Sequence, residues 1–261
     1  MICFYLDFDG VIADSASECI YSSFEIWRNK DQNKKILNSL NNSSKKIFKD
    51  KVISYGITNR FLVTPPEYYL CLIDSIAHHV LQNNEILSNE IIKNLFNLSI
   101  ESTSNRDLEN FKLELFSYRN KRLKSQSNND WVEENPPTKF SIDFFKLMKN
   151  YNSQINIVSR KNYQSIFKWF SGINFKFDKI FGAEVISKYN GSKFELIKDL
   201  QRKNKYPHGI FIDDSPEEIE FLNWKEINVT SIKAGWGYNN LKDNRKNVLK
   251  KIRYTLNDLH N

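Results

Sequence analysis

Ile2-Cys3-Phe4-Tyr5-Leu6-Asp7-Phe8-Asp9-Gly10-Val11 is the stretch on which the reading of this chain turns. Five mostly apolar residues run directly into two carboxylates two positions apart. A short apolar run bounded by a turn signal predicts a buried strand. Its end places Asp7 and Asp9 in a loop that opens with Gly10. In open α/β sheets, ligands bind at the carboxyl ends of the strands. Carboxylates brought together there repel each other unless a cation or a proton offsets the charge. A strand that merely ends in an acidic turn is the plainer reading, and partners elsewhere in the chain decide between the two.

Those partners come from the later half. Phe140–Met148 reads as a helix with an apolar face, and Ile155-Asn156-Ile157-Val158 as a strand ending at Ser159. Tyr163–Phe170 is helical, 177–182 a short strand and turn, and Ser192-Lys193 begin a helix through Leu200. Gly209-Ile210-Phe211-Ile212 is a strand ending at Asp213-Asp214, Glu217–Trp224 a helix, and Val229–Lys233 a final strand before Gly235-Trp236-Gly237. Strands alternating with helices at this spacing imply a parallel sheet with helices on both faces, an α/β Rossmann-like core.

The middle reads differently. Apolar residues recur at helical spacing from Asp14 to Trp27. Residues 28–46 are polar and turn-rich, and read as helix ends and loops. From 47 to 125 the pattern is helical, with a start signal at Pro65-Pro66-Glu67 and further segments at Ile86–Leu98 and Leu108–Leu123. A Ser/Asn-rich break at 125–130 and Asn135-Pro136-Pro137 close the region. The expected organisation is a core of 1–13 and 138–261, interrupted by a mostly helical domain of 14–137.

Composition narrows the function classes. The 261 residues carry a net charge of +7, with 38 Lys and Arg against 31 Asp and Glu. A basic balance favours acidic partners such as phosphorylated metabolites, nucleic acid or an anionic membrane surface. The positive clusters, at 45–51, 119–124 and 245–253, are interleaved with apolar residues and read as solvated helix faces. With no zinc-finger spacing or RNA-binding aromatic motif, nucleic acid is disfavoured. Cys3, Cys19 and Cys71 are too few and too scattered for a disulfide framework or zinc site. No run approaches the ~18 apolar residues of a membrane span, and Asp7 and Asp9 interrupt the early apolar run that a signal peptide would need. The expectation is a soluble, cytoplasmic protein without a membrane partner; the sequence leaves its oligomeric state open.

Strand ends carrying Asp7/Asp9, Ser159 and Asp213/Asp214, with Lys193 at a helix start, form a chemically sufficient set. Carboxylates from two strands can hold Mg²⁺, a hard, oxygen-seeking ion. A hydroxyl and an ammonium beside them suit phosphate oxygens, and a carboxylate is a competent covalent nucleophile. Plainer readings exist for each: helix caps for Asp213-Asp214 and Ser159, and a surface lysine for Lys193, with Lys188 five residues earlier. Arg160 and Lys161, after the serine, could touch an anionic substrate or be solvated. Trp236 reads as core.

Asp7-Phe8-Asp9-Gly10-Val11, followed by Asp14-Ser15, resembles the first motif of the haloacid dehalogenase-like hydrolase superfamily, Asp-x-Asp-Gly-Thr/Val after an apolar strand. The resemblance covers this segment and roughly the C-terminal half. It implies Asp7 as nucleophile, becoming an aspartyl-phosphate, and Asp9 as general acid/base. Ser159 resembles the phosphate-binding hydroxyl, with Arg160 beside it, and Lys193 the lysine that offsets charge on nucleophile and phosphate. Ile212-Asp213-Asp214-Ser215-Pro216 resembles the acidic fourth motif, with Asp214 at the metal position, Glu218 the later acid, and Asp213 a ligand or a supporting group. Mg²⁺ would be held also by the Asp7 side chain and the Asp9 backbone carbonyl. An insertion directly after the first motif resembles the family's helical C1 cap, here longer than the usual small bundle.

An acid at position 9 is implied for phosphatases and phosphomutases rather than carbon–halogen hydrolysis. The leading expectation is a Mg²⁺-dependent phosphatase hydrolysing a small phosphorylated metabolite. Its competitors are a phosphosugar mutase of the same fold, a non-catalytic binding protein, and a nucleic-acid end phosphatase.

Overall fold

β1 (Ile2–Leu6) is buried at all five positions, as its unbroken apolar run requires. The protein is represented by a computed structural model, which describes residues 2–82, 87–204, 206–220, 222–238 and 242–258. β1 lies at the centre of a five-stranded sheet with β2 (Gln154–Val158), β3 (Lys179–Phe181), β4 (His208–Asp213) and β5 (Val229–Lys233), in the order β3-β2-β1-β4-β5. Every pair is parallel. The order reverses beside β1, which is where a doubly wound sheet opens a crevice at its carboxyl edge. Register fixes what meets there. Leu6 pairs with both Ile157 and Ile212, so Asp7 emerges level with the end of β4, its N–H donating to the Ile212 carbonyl at 2.9 Å.

The chain divides into two compact units, residues 1–15 with 126–261, and residues 16–125. The second is helical: α1 (Ala16–Arg28), α2 (Asp31–Asn38), α3 (Asn42–Thr58), α4 (Tyr69–Gln82), α5 (Asn89–Ser102) and α6 (Asn105–Ser125). Its core includes Ile20, Phe24 and Trp27 of α1, Val52 of α3, Ile73 and Ile76 of α4, Ile92 of α5, and Phe111 and Leu115 of α6. Beneath α1, Arg119 is 2% exposed and donates to Glu18 at 2.9 Å and to the Cys19 sulfur at 3.0 Å. The start expected for the 86–98 helix at Ile86 lies outside the described residues; α5 itself begins after Ser88, whose hydroxyl caps the Ile91 N–H.

Residues 28–46 are not loop. They hold α2 and the first turn of α3, because polar side chains here cap and pack rather than break. Asn33 is buried and donates to the Trp27 carbonyl at 2.8 Å, and Asn41 accepts the Ser44 N–H at 2.8 Å as an N-cap.

In the sheet unit, helices cover both faces. Phe4 packs edge-on to Phe144 of α8 (Lys139–Met148), with ring centres 5.2 Å apart. On the other face, Cys3, Tyr5 and Phe211 share a cluster with Leu196 and Ile197 of α11 (Lys193–Asn204). Between these lie α9 (Tyr163–Gly172) and the short α10 (Ala183–Ile186); α12 (Pro216–Glu220) and α13 (Arg245–Asp258) follow. The expected helix 217–224 is therefore shorter, and Trp224 begins a separate 3-10 turn, Trp224–Ile227. The basic run 245–253 lies on α13, whose Val248, Ile252 and Leu256 are buried.

The Ser/Asn-rich run at 125–130 contains a helix start. Ser127 and Asp130 form a reciprocal capping box opening α7 (Asn128–Glu134). Trp131 of α7 is fully buried and donates to the Ser165 carbonyl of α9 at 2.9 Å, so 126–137 packs with the sheet unit. The outgoing and returning chains run side by side: Asp14 donates to the Pro136 carbonyl, and Thr138 to that of Ile12. Among the described residues no helix is long and apolar enough to cross a membrane.

Candidate active site at the carboxyl edge of the sheet

Asp7 leaves β1 and Asp213 ends β4, in adjacent parallel strands. Lys193, the first residue of α11, is 3% exposed and reaches both: its Nζ donates to Asp7 Oδ1 at 2.8 Å and to Asp213 Oδ2 at 2.7 Å. Lys188 is exposed. The lysine at the helix start, and not its neighbour, therefore serves the strand ends.

Asp214 completes an acidic group. One oxygen each from Asp7, Asp213 and Asp214 lie within 4.8 Å of one another, and all three residues are buried. The backbone around Asp214 is shaped to admit it. Gly10 has φ +81°, and a Cβ there would stand 2.6 Å from Asp214 Oδ2. A Cβ at Gly237 would overlap the Asp214 side chain outright. The Tyr238 N–H donates to Asp214 Oδ2 at 2.5 Å. Asp213 is held at both ends, by Lys193 on Oδ2 and by the Ser215 N–H on Oδ1 at 2.8 Å.

Three carboxylates and one ammonium sum to −2 if all are ionised. Burial, the largest influence on Asp7, raises its pKa; Lys193 opposes this, and Asp213 and Asp9 add to it, leaving it pushed up to about 6. Burial alone would lower the pKa of Lys193, but Asp213, Asp7 and Glu218 outweigh it and hold the ammonium above its ordinary value. The two shifts are compatible because one cation is shared: the lysine gains from two acids, while each acid has only part of a lysine. The donor set is all hard oxygen, closely grouped and in charge deficit. That fits a divalent cation of the Mg²⁺ type.

Asp9 occupies a different environment. Its carboxylate accepts from Lys161 Nζ at 3.1 Å and from the Ser15 hydroxyl. The Lys161 side chain is fully buried, with its ammonium 5.7 Å from the centre of the Phe8 ring. Sequence reasoning saw Lys161 only as a neighbour of the serine; a fully buried lysine aimed at the second motif carboxylate is what it missed. Tyr238 was missed too. Besides its N–H on Asp214, its hydroxyl accepts from the Ser15 N–H and donates to Asp14 at 3.0 Å.

Ser159 follows β2 and is buried; its N–H donates to the Phe181 carbonyl, and its hydroxyl lies 3.4 Å from the Lys161 N–H. Arg160 points to Glu218, with which it pairs, and to the Gly191 carbonyl at 3.1 Å. Trp236 is half-buried, stacked on Phe140 with ring centres 4.2 Å apart, and its indole N–H faces the Val11 carbonyl.

No family model matches the chain. No curated protein matches it either. Solved structures do. A provisionally assigned phosphoglycolate phosphatase from Lactobacillus delbrueckii subsp. bulgaricus superposes with a TM-score of 0.54 at 12% identity, covering 96% of this chain and 97% of its own. Another, from Haemophilus somnus, gives 0.50 at 12% identity over 96% and 97%. A provisionally assigned haloacid dehalogenase-like hydrolase from Bacteroides fragilis gives 0.49 at 16% identity, over 90% and 88%. At these identities the likeness is one of fold: the chain shares the fold of the first two structures over nearly its whole length.

Proposed function

We propose that this chain, built on the haloacid dehalogenase-like fold, is a Mg²⁺-dependent phosphatase that hydrolyses phosphate monoesters of a small metabolite. The observation that carries the reading is Lys193 bridging Asp7 and Asp213 at the carboxyl ends of adjacent strands, with Asp214 grouped beside them.

Asp7 is the nucleophile. With Oδ1 on Lys193, its other oxygen attacks phosphorus, and a P–O bond forms as the ester P–O bond breaks. Asp9, as a carboxylic acid, gives its proton to the leaving alkoxide. The carboxylate that remains then takes a proton from water, whose oxygen displaces Asp7 and releases phosphate. Ser159 and Lys193 bind phosphate oxygens, and Lys193 offsets charge throughout. Asp7 and Asp214 would hold Mg²⁺ with the Asp9 carbonyl, and Asp213 orients Lys193 or adds a ligand. Bound there, the ion supplies neutralisation of the phosphoryl charge. Lys161 and Ser15 position Asp9. The inserted helical segment is assigned the part of a cap that selects the substrate.

The test is phosphate release from an aryl phosphate and a panel of sugar phosphates, nucleotides and phosphoglycolate, with and without Mg²⁺. Asp7→Asn should abolish a Mg²⁺-dependent release that the wild type shows. Failure of the folded wild type to release phosphate from any compound would refute the reading. An isomerised sugar phosphate in place of free phosphate would move the reaction to phosphoryl transfer.

A further inference from the structure

The loop after β5, Gly235-Trp236-Gly237-Tyr238, meets the site from a stretch to which the proposed reaction gives no role. It is pinned at several points. The Gly235 N–H donates to Asn244 Oδ1 at 2.8 Å, and the Gly237 N–H to the Ala234 carbonyl at 3.1 Å. Trp236 stacks on Phe140, with its indole N–H 3.3 Å from the Val11 carbonyl. Tyr238, at the end of the loop, is thereby delivered to a fixed place. Its N–H donates to Asp214 Oδ2 at 2.5 Å. Its ring lies over Gly10, where a Cβ would stand 3.1 Å from Tyr238 Cδ2. Beyond the ring, its hydroxyl accepts the Ser15 N–H and donates to Asp14 Oδ1 at 3.0 Å. Ser15 is fully buried, and its own hydroxyl donates to Asp9 Oδ1, the oxygen that also takes Lys161 Nζ at 3.1 Å. A chain of hydrogen bonds therefore runs from Asp214 through Tyr238 and Ser15 to Asp9.

A tyrosine that only fills space between loops needs its ring and not its hydroxyl. Here the hydroxyl is used twice, as acceptor and as donor, so its orientation is set from both sides. One of its partners is the main-chain N–H of the residue whose side chain grips Asp9. A general acid must stand within hydrogen-bond reach of the oxygen it protonates. A shift of ~1 Å in the placing of a reacting group can cost ~100-fold in rate. Fixing the Ser15 main chain fixes the point from which its hydroxyl holds the Asp9 carboxyl. We infer that Tyr238 is a positioning residue for the proposed hydrolysis: through Ser15, its hydroxyl keeps Asp9 in place to protonate the leaving oxygen. This rests on the phosphatase reading, and every residue involved belongs to the sheet unit.

The need for a proton grows with the basicity of the leaving oxygen, so the test is a series of esters. An alkyl phosphate, phenyl phosphate and dinitrophenyl phosphate are assayed with Mg²⁺, each as kcat/KM, which covers the steps through cleavage of the ester P–O bond. Tyr238→Phe removes the hydroxyl and keeps both the ring and the N–H on Asp214. Its kcat/KM should fall about tenfold on the alkyl ester and much less on the dinitrophenyl ester, whose leaving group departs without a proton. Ser15→Ala should show the same dependence on leaving group. Ser15→Ala/Tyr238→Phe should lose little more than Ser15→Ala alone, because the two residues act in series. The rise in melting temperature with Mg²⁺ should be the same in Tyr238→Phe as in the wild type. With an active wild type, the inference is overturned by a loss in Tyr238→Phe that is absent or equal across the esters, by losses that multiply in the double variant, or by a smaller rise with Mg²⁺. If the folded wild type hydrolyses none of the esters, the phosphatase reading falls and the role of Tyr238 falls with it.

Discussion

Lys193→Met removes one buried cation and leaves two buried carboxylates facing each other. In the wild type, Lys193 lies 2.8 Å from Asp7 and 2.7 Å from Asp213, and is 3% exposed. Methionine conserves most of the volume, so the packing cost is small. Breaking a buried pair by deleting one partner costs ~3–5 kcal/mol, because the remaining charge is uncompensated. The cost depends on pH, and its sign follows from Asp7. Burial already raises the Asp7 pKa to about 6, and removing the ammonium raises it further. A carboxyl whose folded pKa exceeds its unfolded value of ~3.9 contributes stability below that unfolded value and loses it as pH rises through the folded pKa. The variant's deficit should therefore be small near pH 4.5 and approach ~3–5 kcal/mol near pH 8. Urea unfolding in chelator, followed by tryptophan fluorescence, reads this out. Of the five tryptophans, Trp131, Trp169, Trp224 and Trp236 belong to the sheet unit, so the signal reports mainly on the unit that is perturbed. Mg²⁺ should restore part of the loss at pH 8. A deficit below ~1 kcal/mol at pH 8, or one that does not change with pH, would refute the reasoning.

Other outcomes follow from separate features. In the helical unit, Arg119→Met removes the buried cation nearest Glu18, which keeps the Ser22 hydroxyl at 2.8 Å and Arg122 at 3.8 Å, and should destabilise by ~3 kcal/mol; Glu18→Leu/Arg119→Met should recover most of that, and equal losses in single and double variants by urea unfolding would show that the pair itself is not at issue. Gly237→Ala pushes on Asp214 and should weaken Mg²⁺ affinity ~10–100-fold, read as a smaller rise in melting temperature with Mg²⁺; an undiminished rise would clear Gly237 of that role. Burial lowers the pKa of His208, whose ring sits 3.1 Å from Thr230 Oγ1. The unfolded chain protonates first, so this contribution is present above ~6.5 and lost as pH falls below it. His208→Gln should flatten that part of the stability–pH curve, and an unchanged slope between pH 5 and 7 would assign it to other groups. Ser127→Ala should cost ~1 kcal/mol through the α7 capping box, measurable as a shift in urea midpoint.

The strands of the sheet unit and its helices α8, α9 and α11 were legible because each is announced by side-chain type. β1 is mostly apolar, β2 and β4 hold Ile155–Val158 and Ile210–Ile212, and β1 and β4 end at the acids that meet in space. The place of Lys193 at a helix start beside the strand ends was legible for a similar reason, since it opens the apolar pattern of α11. What escaped was structure held by polar contacts. α2 buries only Asn33, so no apolar stripe marks it. α7 begins in a Ser/Asn run whose composition fits a linker and a cap equally well. In the candidate site, the link between Lys161 and Asp9 joins residues 152 positions apart. A lysine's burial depends on what covers it, and local sequence does not say. The crowding of Gly10 and Gly237 on Asp214 is likewise a property of three loops meeting, though a glycine beside each motif was its trace in the sequence.

The strand order has a consequence for biosynthesis. Cys3 in the central strand pairs with Gln154 on one side and Gly209 on the other. Of the five strands β1 is made before the others, and it waits for its second neighbour roughly ten to forty seconds at ~5–20 residues per second. Meanwhile residues 16–125, one continuous run, have all the parts of their own core. The helical unit can therefore condense while Ile2–Leu6 still presents two unpaired edges, the state in which strands recruit chaperones or one another. Slowed translation before Gln154 should prolong that two-edged exposure, so aggregation during synthesis should respond to codon choice in the stretch encoding α3–α6 more than in the interval between Gln154 and His208, where β2 can already cover one edge.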